Sequence, residues 1–361
     1  MVKKYNVLSL FNGYSGGYAA LIKAGISIGK YYSVEIDKYC NLISNKNYPD
    51  IIQLGDIKNV YANDIDKIDI LIGGSPCQGF SKVGNRLNFE DPRSKLFFEY
   101  YRLLNECRQR NPDLLFLLEN VEMKKESEAI ISNYLQINPI KINSKLLSAQ
   151  SRPRNYWTNI YTCSNNLLNI PFSVIPQPAD KNISIKDILQ DETEVDKKAY
   201  LSIKMIKGFF NKNNPDFIKN FTPNIYNDTY TKTLTTKNDR VISAYYLVDR
   251  TLKPKFNQIK ASCLTIGGNG AGNHSDMDLL LFKDKIRRYT PIECERLQGL
   301  PDNYTAGVSD TQRYKMLGNG WQIDTIAYIF SFIKNSNNDN YRRNQTFYDT
   351  RKSQKANICS M

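Results

Sequence analysis

Five short apolar runs punctuate the first 120 residues of the chain. Segments with helical spacing lie between them, including Tyr18–Ala24 and Leu96–Arg110. Runs that are apolar on both faces and alternate with helices indicate a parallel sheet covered on both sides. The first half therefore predicts an α/β fold with a doubly wound, mostly parallel sheet. The runs are Val7–Phe11, Tyr31–Glu35, Ile51–Leu54, Ile68–Ile72 and Leu114–Leu118.

The residues that follow these runs are the candidate functional positions. In a doubly wound sheet, ligands bind beyond the carboxyl ends of the strands. Each run is followed by glycines or by a polar or reactive side chain, so the sequence predicts a site along one edge of the sheet. The positions are the loop 12–17, Glu35, Asp56, Pro76 with Cys77, and Glu119.

The loop Phe11–Gly17, with the sequence FNGYSGG, joins the first run to a helix. Its glycines permit a tight turn, and the helix N-terminus offers free N–H groups, as many plain strand-to-helix turns also do. Glu35 follows Gly17 by 18 positions, near the spacing at which an acidic residue binds ribose hydroxyls. These features predict an adenosine-containing cofactor. Asp56 is a candidate for the adenine amino group, or equally the N-cap of a helix.

Cys77 stands in the sequence GGSPC, just after the fourth run. Most cysteines are buried and act as small apolar residues. A proline-fixed turn at a strand end would instead hold the sulfur at the functional edge, where helix N-termini or arginines favour the thiolate. The single histidine, His274, lies far along the chain, which argues against a protease-like thiol–histidine pair.

A thiolate, an adenosine cofactor and a carboxylate are the groups needed to methylate carbon 5 of cytosine. Addition of sulfur to carbon 6 of cytosine turns the ring into an enamine, whose carbon 5 can attack a methyl sulfonium. The addition needs a proton donor at N3 of the base, and Glu119 is placed for this role. Without Cys77, Glu119 would be interpreted as a strand-end carboxylate bonded to a local amide.

Basic residues predict a polyanionic partner. The net charge is +13, from 49 basic and 36 acidic residues, which favours binding to nucleic acid. The segment Gln150–Arg154 carries Arg152 and Arg154 on alternate positions, hence on one side of an extended segment. There they could meet a base oxygen and a backbone phosphate. A solvated basic loop is the plain alternative.

Cysteine usage and hydropathy exclude several classes. The seven cysteines include no C-x-x-C pair, which argues against a zinc ribbon or a disulfide framework and fits a reducing cytosol. No apolar run reaches the roughly 18 residues that a membrane span needs, and no signal peptide is evident. We therefore expect a cytoplasmic protein without a metal.

The chain changes character after about residue 163. It becomes rich in Asn, Lys, Thr, Tyr and Pro until about residue 282, and helical spacing resumes in Thr290–Pro301 and Gly320–Ile333. This pattern predicts a first catalytic part over residues 1–164 and a smaller, loop-rich domain with some β-structure over residues 165–285. A returning catalytic part follows over residues 286–335, and residues 336–361 form a polar tail.

Taken in order, these motifs resemble those of the S-adenosylmethionine-dependent DNA (cytosine-5) methyltransferases. The similarity covers residues 5–160 and 286–333, and the combination of motifs is highly specific. The stretches SPCQGFS and LFFEYYRLL are also similar to the vertebrate de novo enzymes. The motifs are FNGYSGG, SVEID, GDI, GGSPCQGFS, FEDPRSKLFFE, LLENV, QSRPR, RYTPIECERLQGLPDNYT and LGNGW.

The resemblance implies a role for each matching residue. Cys77 would be the nucleophile and Glu119 the partner of N3, while Arg152 and Arg154 would lie at the flipped base and its phosphates. The cofactor would be S-adenosylmethionine. Its pocket would be lined by Phe11, Tyr14, Gly16, Glu35, Ile36, Asp56, Ile57, Pro76, Leu96 and Asn319.

The resemblance also implies double-stranded DNA as the partner. The segment Phe80–Arg93 is similar to the mobile loop that closes over DNA, and residues 165–285 match the position of the target-recognition domain. We expect a monomer in a bacterial or phage-infected cell, with a cognate restriction endonuclease as a candidate companion. The expected DNA contacts are Gln78, Ser81, Lys82, Arg86, Arg93 and Gln150.

Two residues depart from the family pattern. Ser15 replaces the middle glycine of F-x-G-x-G-G, and Trp321 follows Gly-Asn-Gly where smaller residues are usual. Neither change removes a catalytic group. Two alternatives stay open, a transfer-RNA cytosine-5 methyltransferase and a catalytically silent DNA-binding relative. Retention of Cys77 and Glu119 argues against the silent relative.

Overall fold

A seven-stranded sheet forms the centre of the computed structural model, which describes residues 3–75, 92–164, 171–200, 279–282 and 285–333. The strands of this sheet are β1 (Tyr5–Leu10), β2 (Ile28–Val34), β3 (Ile52–Gln53), β4 (Ile70–Gly73), β5 (Leu115–Val121), β6 (Ile140–Asn143) and β7 (Pro153–Thr158). The described α-helices are α1 (Gly16–Lys23), α2 (Lys38–Asn47), α3 (Pro92–Arg110), α4 (Lys125–Leu135), α5 (Pro291–Leu297), α6 (Asp310–Asn319) and α7 (Ile323–Ser331).

The order of the strands across the sheet is β3-β2-β1-β4-β5-β7-β6. Strands β1 to β5 pair in parallel, whereas β7 runs antiparallel to both β5 and β6. The carboxyl ends of the five parallel strands therefore lie along one edge. Two antiparallel pairs stand outside the main sheet, β8 (Thr162–Ser164) with β9 (Pro171–Ser173) and β10 (Leu279–Phe282) with β11 (Lys285–Arg288).

Both faces of the sheet are covered by helices. Neighbouring residues of β1 illustrate this, because Val7 packs in one core cluster with α1, α2 and α7, while Leu8 packs in the other with α3 and α4. The same alternation in β4 places Ile72 on one face and Leu71 on the other. Because these strands are buried on both faces, their sequences are continuous apolar runs and do not alternate between apolar and polar residues.

The predicted doubly wound α/β fold is confirmed. All five predicted strands are present, with bounds that differ from the apolar runs by up to three residues. The prediction omits the antiparallel strands β6 and β7, and β5 continues to Val121 because β7 pairs with its end. The middle domain over 165–285 lies largely outside the described residues, and the proposed domain boundaries stay predictions.

The residues after 285 return to the first-half sheet. Helix α7 packs against α1 in the first core cluster, so the chain segment Gly318–Trp321 arrives beside the loop that follows β1. A buried ion pair lies at the start of this returning part. Glu293 is fully buried and accepts from Arg287 Nη1 and Nη2, each at 2.9 Å, from Thr290 N at 2.8 Å and from Gln190 N at 3.0 Å.

We predict that Glu293→Gln lowers the free energy of unfolding by about 3–5 kcal/mol, because it removes the carboxylate that pairs with both terminal nitrogens of the buried Arg287 guanidinium and leaves only the longer contact of Nε with Glu192, at 3.3 Å. Asp302→Asn is the matched control, since Asp302 pairs with Arg296 at the surface. The control should cost less than about 1 kcal/mol. Urea unfolding of both variants measures the difference, and equal losses would contradict the assigned role of Glu293.

Candidate active site

The loop between β1 and α1 has an unusual backbone. Phe11, Gly13 and Ser15 adopt left-handed φ values of 55°, 57° and 66°. This conformation is costly for a residue with a side chain unless local bonds stabilise it. Ser15 Oγ accepts from Asn12 Nδ2 at 2.8 Å and shares a hydrogen bond of 2.7 Å with Ser44 Oγ. These buried bonds explain how a serine stands at the family's glycine position.

Glu35 ties this loop to the end of β2. Its Oε2 accepts from Gly13 N at 2.9 Å, and its Oε1 accepts from Ile36 N and Asp37 N, each at 2.8 Å. The carboxylate is therefore fixed by three backbone donors. Its position at the carboxyl edge is the one predicted from the spacing in the sequence.

The region around Glu35 offers room and apolar surface for an adenosine group. Ile36 is 76% exposed, compared with 54% for Ile22 and 52% for Tyr61 among the other exposed large apolar residues. A Cβ added at Gly13 or Gly55 would meet no atom within 4 Å. Asp56 Oδ1 accepts from Lys58 N at 3.1 Å, so it caps the short 3-10 helix 57–59. The residues present thus fit the expected cofactor.

The other residues expected at the cofactor pocket lie at different depths. Phe11 and Leu96 are half-buried, and Asn319 is exposed at the end of α6. Ile57 and Gly16 are buried. Pro76 lies outside the described residues.

Tyr14, also expected at this pocket, packs inside the protein. Its ring is only 1% exposed, and burial raises the pKa of its hydroxyl above the ordinary value. The hydroxyl donates to the carbonyl of Trp321 at 2.7 Å, and a Cβ at Gly320 would lie 2.0 Å from the Tyr14 ring. Tyr14 therefore packs against the segment Gly318–Trp321 and donates a hydrogen bond to its backbone.

Glu119 and Arg154 form an ion pair at the end of β5. The register pairs Glu119 with Tyr156 and Val121 with Arg154, which makes Glu119 and Arg154 diagonal neighbours on one face. Arg154 Nε lies 2.9 Å from Glu119 Oε1, and each side chain is 12% exposed. The two residues that were predicted separately at the target base thus meet in the structure.

Arg152 lies elsewhere. Its side chain is 4% exposed, and Nη2 donates to the carbonyls of Gly318 at 3.3 Å and Gly320 at 2.8 Å. In this conformation the guanidinium fixes the returning segment beside the site. Its expected contact with the base or its phosphates stays a prediction.

Two residues near Glu119 were not among the predicted site residues. Trp321 Nε1 donates to Glu119 Oε2 at 3.2 Å. Asn120, which is 2% exposed, donates from Nδ2 to both the carbonyl and the hydroxyl of Ser75 at 3.3 Å. Ser75 precedes Cys77 by two positions, so Asn120 anchors the approach to that residue. Its place directly after Glu119 in LLENV was the available signal.

Two of the six expected DNA contacts, Arg93 and Gln150, lie within the described residues. Arg93 is the second residue of α3. The Gln150 side chain is fully buried, and the structure gives its amide atoms no hydrogen-bond partner. Cys77, Gln78, Ser81, Lys82 and Arg86 lie outside the described residues.

Three of the described cysteines are core residues. Burial raises the pKa of the Cys40 and Cys294 thiols, and it raises the pKa of Cys107 to about 12. Thiols of this kind stay protonated at neutral pH and do not act as nucleophiles. Within the described ranges, histidine, cysteine and carboxylate side chains form no group of three or more that could hold a metal ion. No helix in these ranges is long and apolar enough to cross a membrane.

Comparisons with known proteins agree on one family. The model of the C-5 cytosine-specific DNA methylases matches residues 5–335. The type II methyltransferase M1.ScrFI of Lactococcus lactis subsp. cremoris is 30% identical over 337 residues, which cover 90% of this chain and 77% of that protein. M.HhaI of Haemophilus parahaemolyticus is 29% identical over 342 residues, which cover 92% of this chain and 94% of that protein.

Solved structures bear on the fold. The Entamoeba histolytica methyltransferase EhMeth superposes with a TM-score of 0.63 at 18% identity, over 92% of this chain and 99% of that chain. The S. pombe Dnmt2 methyltransferase gives a TM-score of 0.63 at 19% identity, over 93% of this chain and 100% of that chain. The architecture is therefore that of these methyltransferases.

The Ser15 network generates a prediction. Ser15→Ala keeps the left-handed strain and loses the hydroxyl bonds, so we expect it to lower the free energy of unfolding by about 1–2 kcal/mol. Ser15→Gly loses the same bonds but relieves the strain, so its cost should be smaller by about 1 kcal/mol. Urea unfolding compares the two variants. An alanine variant as stable as the glycine variant would show that strain at residue 15 is unimportant.

Proposed function

The chain belongs to the C-5 cytosine-specific DNA methylase family and is a DNA (cytosine-5) methyltransferase, and we propose that it uses S-adenosylmethionine and duplex DNA. The observation that carries the proposal is the Glu119 carboxyl at the carboxyl end of β5, paired with Arg154 at 2.9 Å. This pair lies on the same sheet edge as the open glycine loop and Glu35.

The proposed cofactor site uses the loop after β1 and the ends of β2 and β3. Glu35 would meet the ribose hydroxyls, while the exposed Ile36 side chain would cover one face of the adenine. Asp56 would accept from the adenine amino group. When bound, S-adenosylmethionine supplies the methyl group as an electrophilic sulfonium.

The proposed chemistry begins with the target cytosine outside the DNA stack, which costs a few kcal/mol of unstacking. The Cys77 thiolate adds to carbon 6, and Glu119 gives a proton to N3 so that no negative charge is left on the ring. Carbon 5 would then bond to the methyl carbon while the methyl carbon–sulfur bond breaks, and its electron pair would leave on the sulfur of S-adenosylhomocysteine. A base or water removes the carbon 5 proton, the C–H electron pair re-forms the ring double bond, sulfur leaves as thiolate, and the N3 proton returns to Glu119.

We propose duplex DNA as the substrate form because the length of the middle segment, about 120 residues, would provide surface for reading bases. A site-specific protein needs such surface to contact base edges in the major groove. The segment 165–285 would serve as the target-recognition domain, with the loop Phe80–Arg93 closing over the DNA. A cytoplasmic location and a cognate restriction endonuclease belong to the same proposal.

Labelled methyl transfer tests the substrate. The full chain is incubated with S-adenosylmethionine carrying a labelled methyl group and with either duplex DNA or transfer RNA, and the nucleosides are then separated. The proposal expects label in 5-methyldeoxycytidine. Label confined to 5-methylcytidine of transfer RNA would replace the DNA proposal, and label in neither would overturn it.

Cys77 is the residue whose removal is most informative. We predict that Cys77→Ala abolishes methyl transfer, because carbon 5 stays unreactive without addition at carbon 6, while binding of S-adenosylhomocysteine is retained. Duplex DNA containing 5-fluorocytosine should trap the wild-type chain as a covalent adduct and leave the variant untrapped. Transfer by the purified variant, or an adduct formed without Cys77, would contradict its role as nucleophile.

A further inference from the structure

Trp321 joins three parts of the candidate site. Its indole Nε1 lies 3.2 Å from Glu119 Oε2 on β5. A Cβ added at Gly74, just after β4, would lie 2.9 Å from the same nitrogen, and one added at Gly17 of α1 would lie 3.5 Å from the indole ring. The indole nitrogen therefore occupies space that a side chain at residue 74 would fill, and the ring is in ordinary van der Waals contact with the position of Gly17.

Buried side chains hold the backbone that carries the indole. The carbonyl of Trp321 accepts from the Tyr14 hydroxyl at 2.7 Å, and the carbonyl of Gly320 accepts from Arg152 Nη2 at 2.8 Å. Tyr14 and Arg152 are 1% and 4% exposed. The backbone of the short segment that carries Trp321 is thus held at two neighbouring carbonyls by buried side chains.

Arg154 and Trp321 contact different oxygens of the Glu119 carboxyl. Arg154 Nε contacts Oε1 at 2.9 Å, and the indole N–H contacts Oε2. A protonated carboxyl carries one O–H donor, and this donor is the group that would face N3 of the base. An indole carries no net charge, so Trp321 directs Oε2 without placing a second cation beside a group that must give and take a proton.

We propose that Trp321 is a positioning residue for Glu119, which holds the carboxyl in the plane that meets N3 of the extruded cytosine. This inference rests on the proposed function, because it assumes that Glu119 acts on the base. It explains the tryptophan at residue 321, where the family usually has a smaller residue, by its contact with the catalytic carboxyl. A residue that served only in packing would need the ring and would not need the N–H.

Trp321→Phe tests the N–H, since it keeps an aromatic side chain and removes the indole donor. We expect kcat for cytosine methylation to fall about tenfold, the loss of one hydrogen bond made in the transition state. The dissociation constant for S-adenosylhomocysteine should stay within about twofold of the wild-type value. Unchanged kcat, or a fall in kcat matched by an equal loss of cofactor affinity or by unfolding, would overturn the assignment.

Trp157→Phe is the matched control. Trp157 is the other tryptophan of the chain, is fully buried, and donates from Nε1 to Ser132 Oγ at 3.0 Å in the opposite core cluster. The same change of residue type there should leave kcat unaltered. A fall in kcat equal to that of Trp321→Phe would mean that loss of any buried indole donor lowers activity, and would overturn a specific role for Trp321.

A second measurement needs no activity. In the Trp157→Phe protein, Trp321 is the only tryptophan, so its emission reports on its own surroundings. Glu119→Gln in that background should shift the emission maximum, whereas Glu122→Gln, at an exposed position three residues further on, should leave it unchanged. Identical emission in all three proteins would overturn the contact. A wild-type chain that methylates no cytosine would overturn the proposed function, while this emission experiment would still decide the contact.

Discussion

Burial of the parallel strands on both faces is the constraint on which the rest of the structure depends. Because α1, α2 and α7 cover one face and α3 and α4 the other, polar side chains in β1 to β5 concentrate at the strand ends. Glu35 and Glu119 therefore face the same edge although 84 residues separate them in the chain. The returning segment reaches this edge from the side of α1. The site therefore lies at this edge because helices cover both faces of the sheet.

The parallel strands and the cofactor loop could be predicted from the sequence, because both follow from the pattern of neighbouring residues. Apolar runs fix the strands, and the glycine loop and Glu35 follow from spacing along one βαβ unit. The pair of Glu119 with Arg154 was not readable, since it depends on the antiparallel register of β7 against β5. Arg152 shows the same limit, because its contacts with Gly318 and Gly320 join residues 166 and 168 positions apart.

The two departures from the family pattern acquire physical explanations. Ser15 adopts a backbone conformation that suits glycine and is stabilised by hydroxyl bonds to Asn12 and Ser44. Trp321 fits because Gly74 leaves room for the indole nitrogen, and its N–H donates to Glu119. Neither residue could be interpreted alone, since each depends on partners that the fold brings from other elements. The substitutions are compatible with the same sheet edge and the same ion pair.

A crystal structure of the full chain with S-adenosylhomocysteine and a duplex that carries 5-fluorocytosine would test the central claim most directly. The account predicts an extruded base with carbon 6 bonded to the Cys77 sulfur and with N3 facing Glu119, which Arg154 and Trp321 still contact. A base that stays stacked in the duplex, or one that binds away from the end of β5, would contradict it.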